Sequence, residues 1–376
     1  MKSVFSAFTS SVIQESFVKK VRLSVAGAGL IGFRHIEEIQ KNAGCELVSI
    51  VDPHPPTKIA GLGNNAALSG SAGVPMYSSL TEMLAKDKPD GVILATPNQL
   101  HADQAIECIN AGITVFIEKP VAQTLADGMR VCEAAEAAGV RVLVGHHRRH
   151  SPVLHKVVEV VQSGILGKIV GVIGSAVFYK PDSEGYYDGL NAWRREPGGG
   201  PILLNLIHEI GNLRAMVGEI VSVQAFTSNV TRGFKVEDTA AINLKFANGA
   251  LGSFLLSDTA GSAKSWEQTS QENKQYPTYP DEDCYTIIGN RGSLSVPTMR
   301  LKYYKQDKDR SWYKPFVCET LYVDRKDPLA EQIAHFAAVI RGEAEPLVSA
   351  RDGLQNLRVT EAVVEAARTG SSVDTV

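Results

Sequence analysis

The first part of the chain alternates short apolar runs with longer segments in which apolar residues recur at helical spacing. The apolar runs are predicted strands, over residues 21–26, 46–51, 91–95, 114–117 and 141–144. Predicted helices lie between them, one passing through Ile36 and Ile39 and others over residues 80–85, 101–111 and 125–138. Strict alternation of this kind predicts a parallel sheet that is covered by helices on both faces.

Beyond Gly145 the pattern changes to successive strand-like segments separated by turn residues. These predicted strands cover residues 169–177, 221–227, 240–246, 249–256, 285–288 and 292–296, and Ala247-Asn248-Gly249 is a predicted hairpin turn. Predicted helices cover residues 151–162, 329–340 and 354–367, and another begins near Ile207. The pattern predicts an α+β unit with a large, predominantly antiparallel open sheet.

The two patterns divide the chain of 376 residues, which is long enough for two hydrophobic cores. We predict an N-terminal extension over residues 1–20, an α/β domain over residues 21–146, and a second domain over residues 147–376. An open sheet leaves one face without cover. We therefore expect a homodimer or homotetramer that forms through that face of the second domain.

The charge balance narrows the classes of partner. The 38 basic and 41 acidic residues give a net charge of −3, which offers no electrostatic reason to expect nucleic acid or an anionic membrane. The 5 cysteines are odd in number and far apart, which favours reduced thiols in a cytoplasmic protein. His146, His147 and His150 cluster without matching cysteine or carboxylate spacing, so we predict no metal site.

A glycine-rich turn joins the first predicted strand to the first predicted helix. Gly27, Gly29 and Gly32 form a G-x-G-x-x-G pattern that includes Leu30 and Ile31 at the predicted helix start. Glycines at this place let the backbone approach a pyrophosphate, and the helix N-terminus favours its charge. The pattern is weak alone. Asp52 follows the second strand at the spacing of a ribose-binding carboxylate, which strengthens it.

The same aspartate favours NAD over NADP as the cofactor. A carboxylate at this position accepts hydrogen bonds from the ribose diol and repels a 2′-phosphate. No arginine directly follows Asp52, although Lys58 keeps NADP open.

Two further polar stretches stand at predicted strand ends, where open α/β sheets bind their ligands. The first contains Thr96, Pro97, Asn98 and His101, and the second is Glu118-Lys119-Pro120. Each stretch alone could be an ordinary turn or solvated loop.

The order of these motifs, followed by G-H-H-R-R-H-S-P at residues 145–152, resembles the Gfo/Idh/MocA family from about residue 21 onward. The family is named for glucose-fructose oxidoreductase and inositol 2-dehydrogenase. The resemblance implies a Rossmann domain and an NAD(P)-dependent oxidoreductase. It implies hydride transfer between nicotinamide and a CH–OH carbon of a sugar, inositol, sugar lactone or related cyclic polyol. It also implies that Lys119 is catalytic. The residues it places along the cofactor are Thr96, Pro97, Asn98, His101, Glu118 and Lys119.

The family's second site motif is a D-x-x-x-H on a helix that follows a G-G-G turn. Here the turn is Gly198-Gly199-Gly200 and the histidine is His208, which the resemblance makes the second catalytic residue. The aspartate position is Leu204, with Asn205 beside it, so the partner of His208 is in doubt. We expect Asn205 or a backbone carbonyl to orient the imidazole.

Aromatic, cationic and amide side chains predict the substrate side of the cleft, because they stack on sugar faces and bind hydroxyls or a carboxylate. The predicted substrate-binding residues are His147, Lys180, Tyr187, Trp193, Arg194, Asn205, His208 and Trp266. A polar loop with a packed tryptophan is the ordinary alternative for both tryptophans. The same residues would also serve a dehydrogenase of a cyclic dihydrodiol. A catalytically silent NAD(P)-binding sensor is the other alternative, and retention of both Lys119 and His208 speaks against it.

Overall fold

The computed structural model describes residues 19–54, 73–182 and 185–376, so most of the predicted N-terminal extension and Lys58 lie outside the described residues. Its first sheet has six strands in the order β3-β2-β1-β4-β5-β6, and every neighbouring pair is parallel. The strands are β1 (Val21–Ala26), β2 (Cys45–Val51), β3 (Met76–Tyr77), β4 (Gly91–Leu94), β5 (Thr114–Glu118) and β6 (Val142–Gly145).

Helices cover both faces of this sheet. The helices between its strands are α1 (Leu30–Lys41), α2 (Leu80–Lys86), α3 (His101–Asn110) and α4 (Leu125–Ala138). Helix α1 packs on one face, and α2, α3 and α4 pack on the other. The side chains of Ser79 and Thr124 accept hydrogen bonds from backbone amides at the starts of α2 and α4, which satisfies amides that lack a helical partner. The predicted doubly covered parallel sheet is confirmed.

The second sheet has nine strands in the order β14-β13-β12-β11-β7-β10-β9-β8-β15. The strands are β7 (Ile169–Val177), β8 (Ile220–Ser228), β9 (Thr239–Phe246), β10 (Leu251–Ser257), β11 (Tyr285–Gly289), β12 (Gly292–Val296), β13 (Arg300–Tyr303), β14 (Val317–Thr320) and β15 (Val373–Asp374). Only β7 and β10 run parallel among its neighbouring pairs. The predicted, predominantly antiparallel open sheet is confirmed.

The remaining helices are α5 (Pro152–Gln162), α6 (Ile207–Val217), α7 (Trp266–Thr269), α8 (Pro328–Arg341) and α9 (Ala350–Thr369). Helices α5, α6 and most of α9 cover one face of the second sheet. Helix α8 instead packs beside α1 on the first sheet, where Ile333 and Phe336 are fully buried. Among the described residues, no helix combines the length and apolar character needed to cross a membrane.

Several boundaries differ from the sequence prediction. Helix α9 begins at Ala350 rather than residue 354, because Ser349 and Asp352 form a reciprocal capping box at its start. The short strands β13 and β14 were not predicted. Strand β14 has an exposed or half-buried residue at each position, so its sequence lacks the alternation of a half-buried strand.

Candidate active site

The carboxyl ends of the parallel strands gather the predicted cofactor residues at one edge of the first sheet. Gly27 follows β1, Asp52 follows β2, and Thr96 follows β4. Lys119 follows β5 and His147 follows β6 at the same edge. From β1 the chain adds β2 and β3 on one side of the sheet, and it adds β4, β5 and β6 on the other side. The direction of the strand order reverses between β1 and β4, and a crevice therefore opens at this edge.

The three glycines of the first turn have different structural roles. Gly27 has a φ of +89°, and a Cβ added there would lie 2.5 Å from the carbonyl oxygen of Ala95. A Cβ on Gly32 would lie 1.8 Å from the carbonyl oxygen of Gly27, so the helix can pack on the turn only without a side chain. A Cβ on Gly29 would meet no atom of the described residues within 4 Å. None of those residues therefore blocks the approach of a ligand to the Gly29 backbone.

The start of α1 is suited to an anion. No side chain caps this helix and no acidic residue lies in its first turn. Leu30 is 59% exposed at the helix start and Ile31 is half-buried beside it. Free helical amides and the positive end of the helix dipole favour a pyrophosphate at this position. These residues fit the phosphates of a dinucleotide.

Asp52 is held beside the same turn by backbone hydrogen bonds. The Ala28 amide donates to Asp52 Oδ2 at 2.8 Å, and the His54 amide donates to Oδ1 at 2.8 Å. These bonds orient the carboxylate at the end of β2, where it can accept from a ribose diol.

His101 has a different role from the one implied by the family resemblance. Its ring is fully buried, with Nδ1 2.8 Å from the carbonyl oxygen of Pro120 and Nε2 2.9 Å from that of Thr96. Both ring nitrogens are therefore used inside the protein. The histidine ties the two predicted cofactor loops together, while Pro97 and Asn98 are exposed at the start of a short 3₁₀ turn.

Glu118 is also engaged within the protein. Its carboxylate Oε1 lies 2.7 Å from Nε2 of His35 on α1, and Oε2 accepts from the Lys119 amide at 3.1 Å. Burial opposes ionisation of Glu118, but the hydrogen bond from His35 and the charge of Lys119 outweigh it and lower its pKa. Glu118 therefore fixes the end of β5, from which Lys119 projects.

Lys119 reaches across to the second part of the structure. Its Nζ donates to the carbonyl oxygen of Leu204 at 3.3 Å. Leu204 belongs to a single π-helical turn, Ile202–Leu206, directly before α6. Burial lowers the pKa of Lys119, and the nearby charges of Arg148 and Arg194 act in the same direction. At the family's aspartate position, this chain thus offers a backbone carbonyl to the lysine.

His208 stands one turn further along this helix, without a hydrogen-bond partner at Nδ1 among the described residues. Its ring contacts the ring of His147 edge to face, with centroids 5.1 Å apart. Burial holds the pKa of His208 well below its usual range, and the charge of Lys119 lowers it further. Burial therefore favours the neutral form of the imidazole. The expectation that Asn205 orients it is wrong, because the Asn205 side chain bonds elsewhere.

Asn205 binds Lys180 instead. Lys180 Nζ donates to Asn205 Oδ1 at 2.7 Å and to the hydroxyl of Tyr186 at 2.5 Å. The guanidinium carbon of Arg194 lies 4.0 Å from the centre of the Tyr186 ring, and its Nη1 donates to the Tyr186 carbonyl at 3.0 Å. Trp193 is 47% exposed beside Arg194. The structure therefore brings Lys180, Asn205 and Arg194 together, as predicted substrate residues should be.

Two predicted substrate residues are packed away from the cleft. Tyr187 is 4% exposed, and its hydroxyl donates to Asp258. Trp266 is 3% exposed, and its Nε1 donates to Glu272 at 2.9 Å. Both side chains are core aromatics with satisfied polar atoms, so these two assignments are wrong. Tyr186, the neighbour of Tyr187, is the tyrosine that faces Lys180.

A buried ion network, which was not predicted from the sequence, lies beside the site. Arg148 Nη1 donates to Glu209 Oε1 at 2.5 Å, and Nη2 donates to Glu267. The other oxygen of Glu209 accepts from the Tyr285 hydroxyl. The signal was present, since Arg148 directly follows His147 and Glu209 directly follows His208. Two charged residues beside two site histidines indicate a charge pair that can form only where the two segments meet.

Comparison with known proteins places this geometry in a family. Residues 21–146 match the sequence model of the Gfo/Idh/MocA family, which is described as an oxidoreductase family with an NAD-binding Rossmann fold. The model of its C-terminal α/β domain matches residues 158–375.

Curated relatives and solved structures agree with these two matches. The chain is 31% identical over 242 residues to the 4-carboxy-2-hydroxymuconate-6-semialdehyde dehydrogenase of Sphingobium sp., covering 63% of this chain and 72% of that protein. It is 24% identical to the scyllo-inositol 2-dehydrogenase (NAD(+)) of Bacillus subtilis, covering 94% and 96%. The WlbA dehydrogenase from Bordetella pertussis, solved with NADH and UDP-GlcNAcA, superposes with a TM-score of 0.71 at 28% identity, covering 95% and 99%. The chain is an NAD-binding oxidoreductase that belongs to the Gfo/Idh/MocA family.

Proposed function

We propose that this oxidoreductase transfers a hydride between NAD and a CH–OH carbon of a sugar, inositol, sugar lactone or related cyclic polyol. The observation that carries the proposal is that Lys119 and His208 lie near each other although they come from different sheets. Lys119 follows β5 of the first sheet, and His208 lies on α6, which packs on the second sheet. The bond from Lys119 Nζ to the Leu204 carbonyl places the lysine one helical turn before His208. Relatives named for inositol and sugar oxidation or reduction support the substrate class.

The side chains can handle the proton and the charge that accompany this reaction. Bound NAD supplies the hydride acceptor or donor. In alcohol oxidation, His208 accepts the hydroxyl proton, and because burial lowers the pKa of its imidazole, it acts as a weaker base than a solvated histidine. The Lys119 ammonium donates a hydrogen bond to the same oxygen and stabilises its developing negative charge. In reduction, His208 would first have to bind a proton and would then donate it to the same oxygen.

The experiment that tests the proposal is a panel of sugars, inositols, lactones and dihydrodiols, followed by NADH absorbance in both directions. Steady turnover of a polyol supports it. Turnover of dihydrodiols alone would favour the second substrate class, and no turnover with any member would favour the silent sensor.

The exposed face of the second sheet supports the proposed homodimer or homotetramer. Ile173 on β7, Leu251 and Leu255 on β10, and Phe226 on β8 lie on that face and are 46–67% exposed. Exposed apolar side chains on a sheet face favour association that covers them. The oligomer and the cytoplasmic location both stay predictions.

Replacing Asp52 with alanine should narrow a preference of the protein for NAD over NADP. The carboxylate is held in place by the Ala28 and His54 amides, where it would accept from a ribose diol and repel a 2′-phosphate. Titration calorimetry with NADH and NADPH measures both affinities. Tighter binding of NADPH by the unaltered protein would contradict the assignment.

Replacing Trp193 with alanine should raise KM for the polyol more than it weakens NADH binding. The indole is exposed beside Arg194, so its loss removes a stacking surface while the glycine-rich turn stays intact. Steady-state kinetics and NADH titration separate the two effects. Trp266→Ala is unsuitable as a comparison because that indole is in the core. An unchanged KM would place the sugar face elsewhere in the cleft.

A further inference from the structure

Three cations on one side of the cleft lie outside the salt bridges of the described residues. Lys119, Lys180 and Arg194 form no salt bridge within the described ranges of the chain, although each is at least half-buried. Arg148, at the floor of the same site, is by contrast bound by two carboxylates, Glu209 and Glu267. These three cations therefore have no salt-bridged carboxylate among the described residues, whereas Arg148 has two.

Two of these cations share a single aromatic ring. Lys180 Nζ lies 4.2 Å from the centre of the Tyr186 ring, and the Arg194 guanidinium carbon lies 4.0 Å from it. The ring face partly compensates both charges. We call the group formed by Lys180, Tyr186 and Arg194 the cationic wall.

The cationic wall retains unused hydrogen-bond donors. Lys180 has three ammonium protons and bonds two acceptors, the Tyr186 hydroxyl and Asn205. Arg194 uses Nη1 on the Tyr186 carbonyl, while its Nε is buried without a partner among the described residues. Placing two cations this close, with spare donors and no salt bridge among the described residues, costs free energy that a bound anion would recover.

A carboxylate fits this wall better than a phosphate. A guanidinium and an ammonium side by side match the two oxygens of a carboxylate. Phosphate sites usually add backbone amides from a helix N-terminus. At the start of the helix that carries His208, the amide of Ile202 is already used, because it donates to Glu237 Oε1 at 2.8 Å.

The cationic wall lies next to Lys119. Lys119 binds the carbonyl of Leu204, and Lys180 binds the side chain of the next residue, Asn205. A ligand atom on Lys119 and a ligand carboxylate on Lys180 and Arg194 would therefore belong to one small molecule.

We propose that the substrate is a polyol acid, whose carboxylate is bound by Lys180 and Arg194 while its reacting hydroxyl lies at Lys119 and His208. This inference rests on the proposed function for the identity of the reacting group. It adds the charge of the substrate and the residues that select for it.

Three sugars that differ only at carbon 6 test the proposal: D-glucuronate, D-glucose and D-glucose 6-phosphate. Each is titrated into NADH-loaded protein by calorimetry, and each is assayed separately for NAD reduction. We expect glucuronate to bind about 10- to 100-fold tighter than glucose, the range for a charge-assisted hydrogen bond. Arg194→Gln and Lys180→Met should each remove most of that difference, because glucuronate affinity should fall more than glucose affinity in both variants. Arg194→Lys should restore part of it.

Lys235→Met is the matched control, since Lys235 is an exposed lysine that pairs with Glu196 outside the cleft. It should retain the full preference.

Burial lowers the pKa of Lys180 to about 7, with Arg194 and Lys119 acting in the same direction and Asp258 and Glu267 opposing it. Glucuronate affinity should therefore fall as pH rises through 7 in the unaltered protein, and this fall should disappear in Lys180→Arg.

The outcomes separate this inference from the proposed function. Equal affinity for glucuronate and glucose, no binding of glucuronate, or equal losses for both sugars in the variants would overturn the carboxylate site. Tighter binding of glucose 6-phosphate would also overturn it, in favour of a phosphate. Turnover of neutral polyols without any preference for acids would leave the proposed function standing alone. A clear preference for glucuronate in binding, with no NADH formed from any polyol, would instead remove the proposed function.

Discussion

Replacing Lys119 with alanine should lower kcat by about 10²- to 10⁴-fold, the range for removal of a positioned acid, base or charge-stabilising group. The Lys119 ammonium donates to the Leu204 carbonyl, and no other described cation bonds that carbonyl. NADH affinity should stay within a few-fold, because the residues that we propose for the pyrophosphate and the ribose are Gly29 and Asp52. Stopped-flow single-turnover kinetics measures the hydride step directly, and NADH titration gives the affinity.

His208→Ala is the companion variant and should give a loss of similar size if the imidazole accepts the proton. His208→Gln keeps a polar side chain of similar length without the base, so it separates proton transfer from positioning. If the His208 variants keep near-normal turnover while Lys119→Ala is inactive, the lysine alone transfers the proton and His208 positions the substrate.

Replacing Arg148 with methionine should destabilise the protein by about 3–5 kcal/mol, the cost of leaving a buried charge without its partner. Arg148 is 3% exposed and binds both Glu209 and Glu267. Burial already raises the pKa of Glu209 although Arg148 opposes this shift. Without the guanidinium, two carboxylates would remain together in a poorly solvated site. Urea unfolding followed by circular dichroism measures the change.

Arg351→Met is the matched control for this experiment. Arg351 forms a similar two-armed bond to Glu136, but both side chains are about half exposed, and surface pairs contribute little to stability. An Arg148→Met protein as stable as the Arg351→Met protein would contradict the prediction. The double variant Arg148→Met/Glu209→Gln should recover part of the loss, because it removes one of the stranded charges.

The cofactor side was predictable from the sequence because local backbone requirements determine it. Gly27 and Gly32 have no room for a side chain, and Asp52 stands at the end of a strand whose position follows from the apolar pattern. Such features depend on neighbours close in the chain or on the strand order.

The substrate side was less predictable, because side-chain direction in loops is decided by distant contacts. Tyr186 and Tyr187 are chemically alike in sequence, yet only Tyr187 meets Asp258, more than seventy positions away. Trp266 is drawn inward by Glu272, while its neighbour Glu267 turns toward Arg148. The π-helical turn at Ile202–Leu206 has no sequence signature that we recognised, and it is what gives Lys119 its carbonyl partner.

The packing of α8 on the first sheet has a consequence for the order in which the protein can mature during synthesis. Phe336 and Ile340 approach β4 so closely that a Cβ on Gly91 would lie within 3.0 Å of both. The core beside α1 therefore lacks its last layer until the ribosome has made the polypeptide through α8. Until then the nascent nucleotide-binding half exposes an apolar strip over β4 and β5, and chaperones that bind such strips would have their longest access during this interval.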